Sequence, residues 1–586
     1  MSHAHRALLR AKESKRRSQL KSMCAQPVNL MVFREGRRDI SAYNLRSRLA
    51  DRLRDGEPGT PANFLNLLLL AGELECGIAD AGLSHRQQSP GKLESITDFL
   101  AAALVGVPID CLCLAESLES IPMPDRIKVS SPEGFAYYAL HPLAYSEAMS
   151  GSENVGDEIA VIGIRSIGTT LSAVVAAAAR RKGKTASRIT VRPHGYPYNR
   201  ELRWAGSELE FVEQAKAAGA DFLIVDEGPG LSGSSFLAVA EALAKAGVAR
   251  EKITLLCGHQ PAFDSLRADN ASERARQFRW QAVNSAPRIP EIAGEFLGGG
   301  QWRKFLSSSE SEWPAVWTWL ERLKYRSSGN SNDQRLYKFV GLGHYGEAVL
   351  EREQRIAEAA FSPMPRQEAD GFASYPWLES RRIEGRPLEG RPMLAADLNE
   401  DVLARLADYC AFRGAAFAAE LSDLASLQHM TDHNLRELGL CEVGCSSILL
   451  ELKRPVIADG HMQPHEWLRT NEGTILKTDS GSHGDDHFFP GPTDIAWDLA
   501  GALVEWQMTA EQSATLLDLY RQKSGDDVVS RIEHFVTAYS VFRCAYCLMA
   551  ANALGEGDEA ERFLEAAEKY RRAIQIPTST ASTATA

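Results

Sequence analysis

Between residues 157 and 260 the chain alternates short, continuously apolar runs with Ala-rich stretches of helical period. The runs 157–164 (DEIAVIGI), 188–191, 221–225 (DFLIV) and 253–257 predict strands, and 170–181, 208–218 and 234–246 predict helices. Strands that are apolar throughout and separated by helices predict a parallel sheet covered on both faces. Ligands of such sheets sit beyond the carboxyl ends of the strands. Upstream, 62–75 and 95–106 are apolar with helical spacing, and 127–130 is strand-like. Downstream, 300–332 holds Trp302, Trp313, Trp317 and Trp319. The run SSGNSND at 327–333 reads as a linker. From 335 a second unit begins, strand-like and Gly-rich at first, then mostly helical to about 574.

The composition changes this picture little. In 586 residues, 44% are apolar and 24% charged, enough for several cores and unlike a disordered chain. The net charge of −12 argues against a nucleic-acid or membrane-surface binder, while leaving room for a local basic pocket. The apolar run 64–71 is far too short to span a bilayer, so no membrane segment is expected. Ten cysteines without a preceding secretory signal predict a reduced, cytoplasmic chain. Close pairs occur at Cys111/Cys113, Cys441/Cys445 and Cys544/Cys547. The last pair lies in an apolar helical stretch and reads as buried cysteines rather than zinc ligands.

Residues 1–22 carry seven Lys/Arg and one acid. They read as a solvated tail, with an RNA-binding arm or a transit peptide as alternatives. The end, 578–586, is Ser, Thr and Ala only, a disordered tail by composition. The expected organisation is a basic arm (1–27), a first domain (28–330), a second (331–575) and a tail (576–586).

Chemistry gathers first at FLIVDEGPGLSGSSF, 222–236. A buried strand runs into Asp226 and Glu227, then into a loop with Gly230, Ser232, Gly233, Ser234 and Ser235, then into a helix. Such a loop offers backbone N–H groups and hydroxyls to a phosphate. The two carboxylates stand where they could accept hydrogen bonds from vicinal ribose hydroxyls. A second loop, 162–175, follows the earlier strand and supplies Arg165, Ser166, Gly168, Thr169 and Thr170. Without a ligand, these would be ordinary strand-to-helix turns.

Two such loops in this order resemble the type I phosphoribosyltransferases. The resemblance covers about 157–260 and implies that the acid pair and its loop bind the ribose 5-phosphate of phosphoribosyl pyrophosphate (PRPP). It implies that the earlier loop binds pyrophosphate. The intervening segment, with Arg192, His194, Tyr196, Tyr198, Arg200 and Arg203, is then a cover over the reacting centre. The loop is one residue longer than the family's, with Ser232-Gly233 in place of Thr-Gly. The implied chemistry is Mg²⁺-assisted departure of pyrophosphate through an oxocarbenium-like state, followed by attack of an acceptor. Asp226 and Glu227 would be the catalytic carboxylates. The hood at 132–149, with Phe135, Tyr137 and Tyr138, could stack on an acceptor ring or simply pack in a core, and 257–262 could also line the pocket.

The second constellation lies in the C-terminal unit. RLYKFVGLGHYGEAVLERE (335–353) predicts a strand, a Gly-rich turn and a helix. Much later a loop with His461 and His465 precedes a strand ending in Asp479, then an acidic Gly/His loop, then IAWDLAGA with Asp498. This order resembles the aminoglycoside phosphotransferase and choline-kinase-like branch of the kinase fold. The resemblance implies that Asp479 binds Mg²⁺, that Asp498 braces the catalytic loop and that 371–388 is the hinge. The family's His-Gly-Asp, with Asn five residues past the Asp, is missing. Aligned on His461, the chain has Gln463 and Leu468 there, leaving Asp459, His465 and Glu466 as substitutes. His483, Asp485, Asp486 and His487 read as a solvated acidic loop, with a metal site as the alternative.

The expected fold is α/β: a doubly wound, mainly parallel-sheet phosphoribosyltransferase-like core, followed by an α+β, mostly helical kinase-like domain. The expected function is a PRPP-dependent phosphoribosyltransferase using Mg²⁺, with an unknown acceptor, fused to a module that binds ATP or a phosphosugar. The alternative is a non-catalytic sensor of PRPP or nucleotide. Neither membrane nor nucleic acid is an expected partner, and an oligomer is compatible with the chain.

Overall fold

The computed structural model describes residues 29–32, 37–55, 60–82, 90–151, 155–284, 294–307, 309–328, 334–378, 391–441, 448–470, 472–482 and 491–574. The basic arm, the C-terminal tail, Cys445, the 379–388 part of the expected hinge and the cluster His483–His487 lie outside the described residues.

The first unit opens with β1 (Arg37–Ser41), α1 (Ala42–Asp55), α2 (Pro61–Asp80), α3 (Pro90–Leu104), α4 (Cys111–Glu119), β2 (Arg126–Ser130), α5 (Glu133–Ala136) and α6 (Pro142–Gly151). β1 and β2 pair antiparallel. The helix α2 is long and apolar enough to cross a membrane, but its side chains from Leu65 to Gly77 are buried in the core.

The sheet of this unit is built from β3 (Glu158–Ile164), β4 (Thr185–Val191), β7 (Asp221–Val225), β8 (Ile253–Cys257) and β9 (Arg279–Ala282), all parallel, in the order β4-β3-β7-β8-β9. A short antiparallel hairpin, β5 (His194–Tyr196) and β6 (Asn199–Glu201), stands beyond the end of β4. Side chains on β3 alternate between two cores. Ile159 and Val161 face the core shared with α7 (Ile167–Arg181), α2 and α3. Ala160, Ile162 and Ile164 face the core shared with α8 (Gly206–Ala217) and α9 (Ser234–Lys245). α7 approaches the sheet through two glycines: a Cβ on Gly163 would stand 2.2 Å from the Gly168 carbonyl oxygen, and one on Gly168 would stand 2.6 Å from that of Val225. A short helix, α10 (Ala271–Ala275), precedes β9.

β3 pairs with its successor β4 on one side and with β7 on the other. The chain therefore reverses direction across the sheet between β3 and β7. The loops after these two strands part there and leave a crevice at the carboxyl ends. Both loops predicted to bind phosphate border it.

The second unit begins earlier than expected. β10 (Glu295–Phe296) and β11 (Lys324–Arg326) form one antiparallel sheet with β12 (Arg335–Phe339), β13 (Arg366–Gln367) and β14 (Phe372–Pro376), in the order β10-β11-β12-β14-β13. The expected boundary at 330 thus falls inside a sheet. The Ser/Gly/Asn run joins β11 to β12, where the Ser327 N–H donates to the Arg335 carbonyl and the Arg335 N–H to Ser327 Oγ, both at 2.9 Å. Hairpin turns and linkers draw on the same residue types.

Between β12 and β13 runs α11 (His344–Glu358). A small sheet of β15 (Arg391–Pro392), β17 (Trp467–Arg469) and β18 (Ile475–Lys477) follows, as do the short pair β16 (Pro455–Val456) and β19 (Thr493–Asp494). The rest is helical: α12 (Glu400–Ala416), α13 (Ala425–Glu437), α14 (Ala496–Glu505), α15 (Ala510–Ser524), α16 (Ile532–Leu554) and α17 (Asp558–Ala573). Cys544 and Cys547 are buried on α16, as free thiols that burial pushes up to about 12.

The two units are not separate bodies. Tyr337, Phe339, Leu342 and Phe372 of the second belong to the same core as α2, α3 and α7 of the first. His344 Nε2 lies 3.1 Å from Glu73, and Arg52 and Asn66 both bind Glu347, at 2.7 and 2.8 Å.

Candidate functional site

Two places gather polar chemistry. At the crevice of the first unit, Asp226 and Glu227 directly follow β7. The Glu227 carboxylate accepts the Gly134 N–H of α5 at 2.9 Å, and Asp226 accepts the Glu227 N–H at 2.9 Å. The Tyr145 hydroxyl donates to the Asp226 carbonyl at 2.7 Å, fixing the backbone beneath the pair. Burial pushes the Asp226 carboxyl up to about 7, against the pull of Arg192 and Arg200. Glu227 stands well above the ordinary carboxylate range, because it is buried and faces Glu133 and Asp226. Carboxylates whose charge burial disfavours gain from any hydroxyl donor or cation brought to them.

The loop beyond them turns through Gly230 and Gly233, at φ +56° and +72°, conformations that favour glycine. Ser232 Oγ accepts the Ser234 N–H at 3.2 Å, and Ser234 Oγ donates to the Pro197 carbonyl of the β5–β6 hairpin at 2.6 Å. The segment expected as a cover is therefore docked on this loop, with the Tyr196 and Tyr198 rings tilted against each other 5.7 Å apart and exposed. Ser235 is half-buried on the first turn of α9.

The earlier loop is less open than its sequence implies. Gly168, Thr169 and Thr170 are buried within α7, where Gly168 serves close packing. Ser166 Oγ lies 3.2 Å from Ser130 Oγ. Arg165 and Arg192 converge on Asp80, at 3.5 and 2.5 Å, and Arg165 also reaches Glu208. Their charges are already balanced by protein carboxylates.

The second place is a cavity of about 230 Å³ between the antiparallel sheet and the helical part. Its wall is apolar on the sheet side, with Leu297, Trp302, Phe305, Leu336 and Trp377, and Leu468 lies opposite. Its floor is charged. Lys338 of β12 is buried and bonds to Asp479 and, at 3.0 Å, to Ser482 Oγ; Glu353 of α11 stands 3.7 Å away. Asp479 follows β18 with φ +51°, a left-handed backbone uncommon outside glycine, though Asp adopts it more readily than most residues. Lys324 of β11 lies 3.2 Å from both Asp479 and Glu321. Burial disfavours the Lys324 ammonium, but those two carboxylates raise its pKa overall. Burial pushes the Glu353 carboxyl up despite Lys338. The 480s loop runs tight against α11, where a Cβ on Gly481 would stand 2.1 Å from Glu353 Cγ.

Below this floor the loop 457–466 is clamped from behind. Asp498 on α14 accepts the N–H of Asp459 at 2.9 Å and of Gly460 at 2.8 Å. Burial pushes the Asp498 carboxyl up to about 6, against Arg413, which lies 3.6 Å away. Asp459 is fully buried among Tyr409, Arg413 and Lys477. His461 Nδ1 faces Glu466 Oε1 at 3.3 Å, and Lys477 Nζ donates to Glu466 Oε2 at 2.6 Å. Burial lowers the His465 ring to about 4, so it is neutral, stacked on Trp302 at 5.7 Å.

The structure thus places Asp479 on the charged floor and Asp498 behind the loop. The clamp from Asp498 falls on Asp459 and Gly460, the two residues before His461, and Glu466 stands five residues past His461. Lys338, Glu353, Lys324 and Lys477 were not singled out from the sequence. A lysine at an apolar strand position with a glutamate deep in the next helix is the available signal, and it is faint. Among the described residues no three His, Cys, Asp or Glu side chains gather to hold a metal ion.

The raised pKa of Asp226 has a thermodynamic signature. The folded chain binds this proton more tightly than the unfolded one, so the group lowers stability as pH rises from about 4 to about 7. Asp226→Asn should therefore stabilise the first unit at pH 8, on the order of 2–4 kcal/mol, and leave stability at pH 4 nearly unchanged. Urea denaturation at the two pH values checks this.

No family model and no curated protein matches the chain. Among solved structures, a choline kinase from Streptococcus pneumoniae is similar over 42% of this chain and 89% of its own, at 12% identity and a TM-score of 0.28. A choline/ethanolamine kinase family protein from Mesorhizobium loti is similar over 44% and 86%, at 15% identity and a TM-score of 0.29. A macrolide 2'-phosphotransferase from Brachybacterium faecium is similar over 44% and 90%, at 17% identity and a TM-score of 0.29.

Proposed function

We propose that the second unit is a phosphotransferase module that binds a magnesium nucleotide in the cavity between its sheet and its helices. One observation carries this reading: the buried Lys338 ammonium sits between Glu353 of the following helix and Asp479. Protein kinases place a strand lysine, a helix glutamate and a metal-binding aspartate in the same relation around the phosphates of ATP. The apolar walls suit a nucleobase, and Lys324 and Lys338 suit its phosphates. Asp479 would hold Mg²⁺ together with phosphate oxygens. The ion, when bound, neutralises charge on the transferring group. Lys338 and Lys324, which balance Asp479 in its absence, would then face the phosphates. The clamp from Asp498 holds the loop that would meet the phosphoryl acceptor.

A second reading concerns the first unit and is favoured by the Asp226–Glu227 pair at the crevice. We infer that this pair binds the ribose hydroxyls of PRPP, with the loop 230–235 at its 5-phosphate and Mg²⁺ carried by PRPP itself. The chain would then transfer ribose 5-phosphate to an acceptor and release pyrophosphate, or sense PRPP without transfer. Arg165 and Arg192 would have to exchange Asp80 for the pyrophosphate.

Calorimetric titration of the full chain tests both. Mg-ATP should bind saturably, and Lys338→Met and Asp479→Ala should each weaken it by about tenfold or more, the loss of one charged contact. Absence of ATP binding would overturn the first reading. Mg-PRPP should bind independently and be lost in Asp226→Asn/Glu227→Gln. Unchanged PRPP affinity in that variant would remove the ribose assignment.

A further inference from the structure

A kinase-type loop normally carries an aspartate that accepts the proton of the attacking hydroxyl. Here that place belongs to His461, because Asp498 clamps the two residues before it. Its loop neighbours are placed differently. Asp459 is sealed in the interior among Tyr409, Arg413 and Lys477. His465 lines the cavity with its ring stacked on Trp302. His461, by contrast, keeps 34% of its side chain exposed at the loop surface. Its Nδ1 faces Glu466, and Glu466 is held in turn by Lys477 and lines the cavity beside Asp479.

We propose, on the phosphotransferase reading above, that His461 backed by Glu466 is the proton acceptor of the transfer. A carboxylate behind one ring nitrogen holds a proton there and leaves the other nitrogen basic. With the proton on Nδ1 toward Glu466, Nε2 takes the proton of the acceptor hydroxyl. The hydroxyl oxygen then forms a bond to the γ-phosphorus. The bond from that phosphorus to the bridging oxygen breaks, and the nucleoside diphosphate leaves with the electron pair. The imidazolium returns its proton to solvent. The site therefore takes a neutral alcohol as acceptor and uses an imidazole–carboxylate pair where a lone carboxylate is usual.

The test is Mg-ATP hydrolysis by the full chain, with water as acceptor, alongside Mg-ATP affinity. His461→Ala should lower kcat about 10²-fold or more while KM stays within about threefold. Added imidazole should restore part of that rate, and His461→Asp should retain more activity than His461→Ala. Retained ATP affinity shows that the variants fold. A wild-type rate in His461→Ala would overturn the proposal. So would a loss that neither imidazole nor the aspartate repairs, since that marks a structural role. A wild-type chain that binds Mg-ATP without hydrolysing it would also overturn it, leaving nucleotide binding intact. A chain that does not bind ATP would instead remove the reading on which the proposal rests.

Discussion

Burying the Lys338 ammonium is the constraint around which the second unit is arranged. An isolated charge away from water is prohibitively costly, and it persists only when paired and hydrogen-bonded. Here the pairing comes from three places distant in sequence: Glu353 on α11, Asp479 after β18 and Ser482 in the loop that follows. The period of two along β12 explains how a strand buried on both faces carries this lysine. Tyr337 and Phe339 point into the core shared with the first unit, whereas Leu336 and Lys338 line the cavity. Moving the register by one residue would bury the charge among α2 and α7 and remove Lys338 from the cavity.

The same strand explains why the units hold together. Its apolar face is completed by the first unit, and the turn after it is tied there by the Leu342 N–H, which donates to the Phe135 carbonyl at 2.9 Å. One residue before Phe135, the Gly134 N–H meets Glu227. Two residues after it, the Tyr137 ring lies under the Arg322 guanidinium, 5.0 Å from its centroid. Arg322 in turn donates to the Ser482 carbonyl at 3.3 Å. The short segment around α5, expected as an acceptor hood, therefore touches the acid pair of one unit and, through Arg322, reaches the 480s loop of the other.

What the sequence reveals follows from which contacts are local. The parallel strands were legible because strands buried on both faces are apolar without interruption, and 221–225 and 253–257 were placed to the residue. The acid pair was legible because it stands directly after such a strand. The boundary expected near 330 falls between β11 and β12, neighbours in one sheet, because Ser, Gly and Asn serve connections within a domain as readily as linkers between domains. Gly168, Thr169 and Thr170 read as a phosphate loop, yet a glycine needed for close helix packing looks the same in sequence. The clamp from Asp498 was not legible, because it acts on backbone N–H groups of Asp459 and Gly460, which leave no trace in residue type. Lys338 and Glu353 become a pair only when sheet and helix fold together.

Hydrogen exchange on the full chain, with and without saturating Mg-ATP, tests the central claim most directly. The account predicts slower exchange in 335–342 and 475–482, where the strand lysine and Asp479 would close on the phosphates. Unchanged exchange in both segments at saturating nucleotide would contradict it.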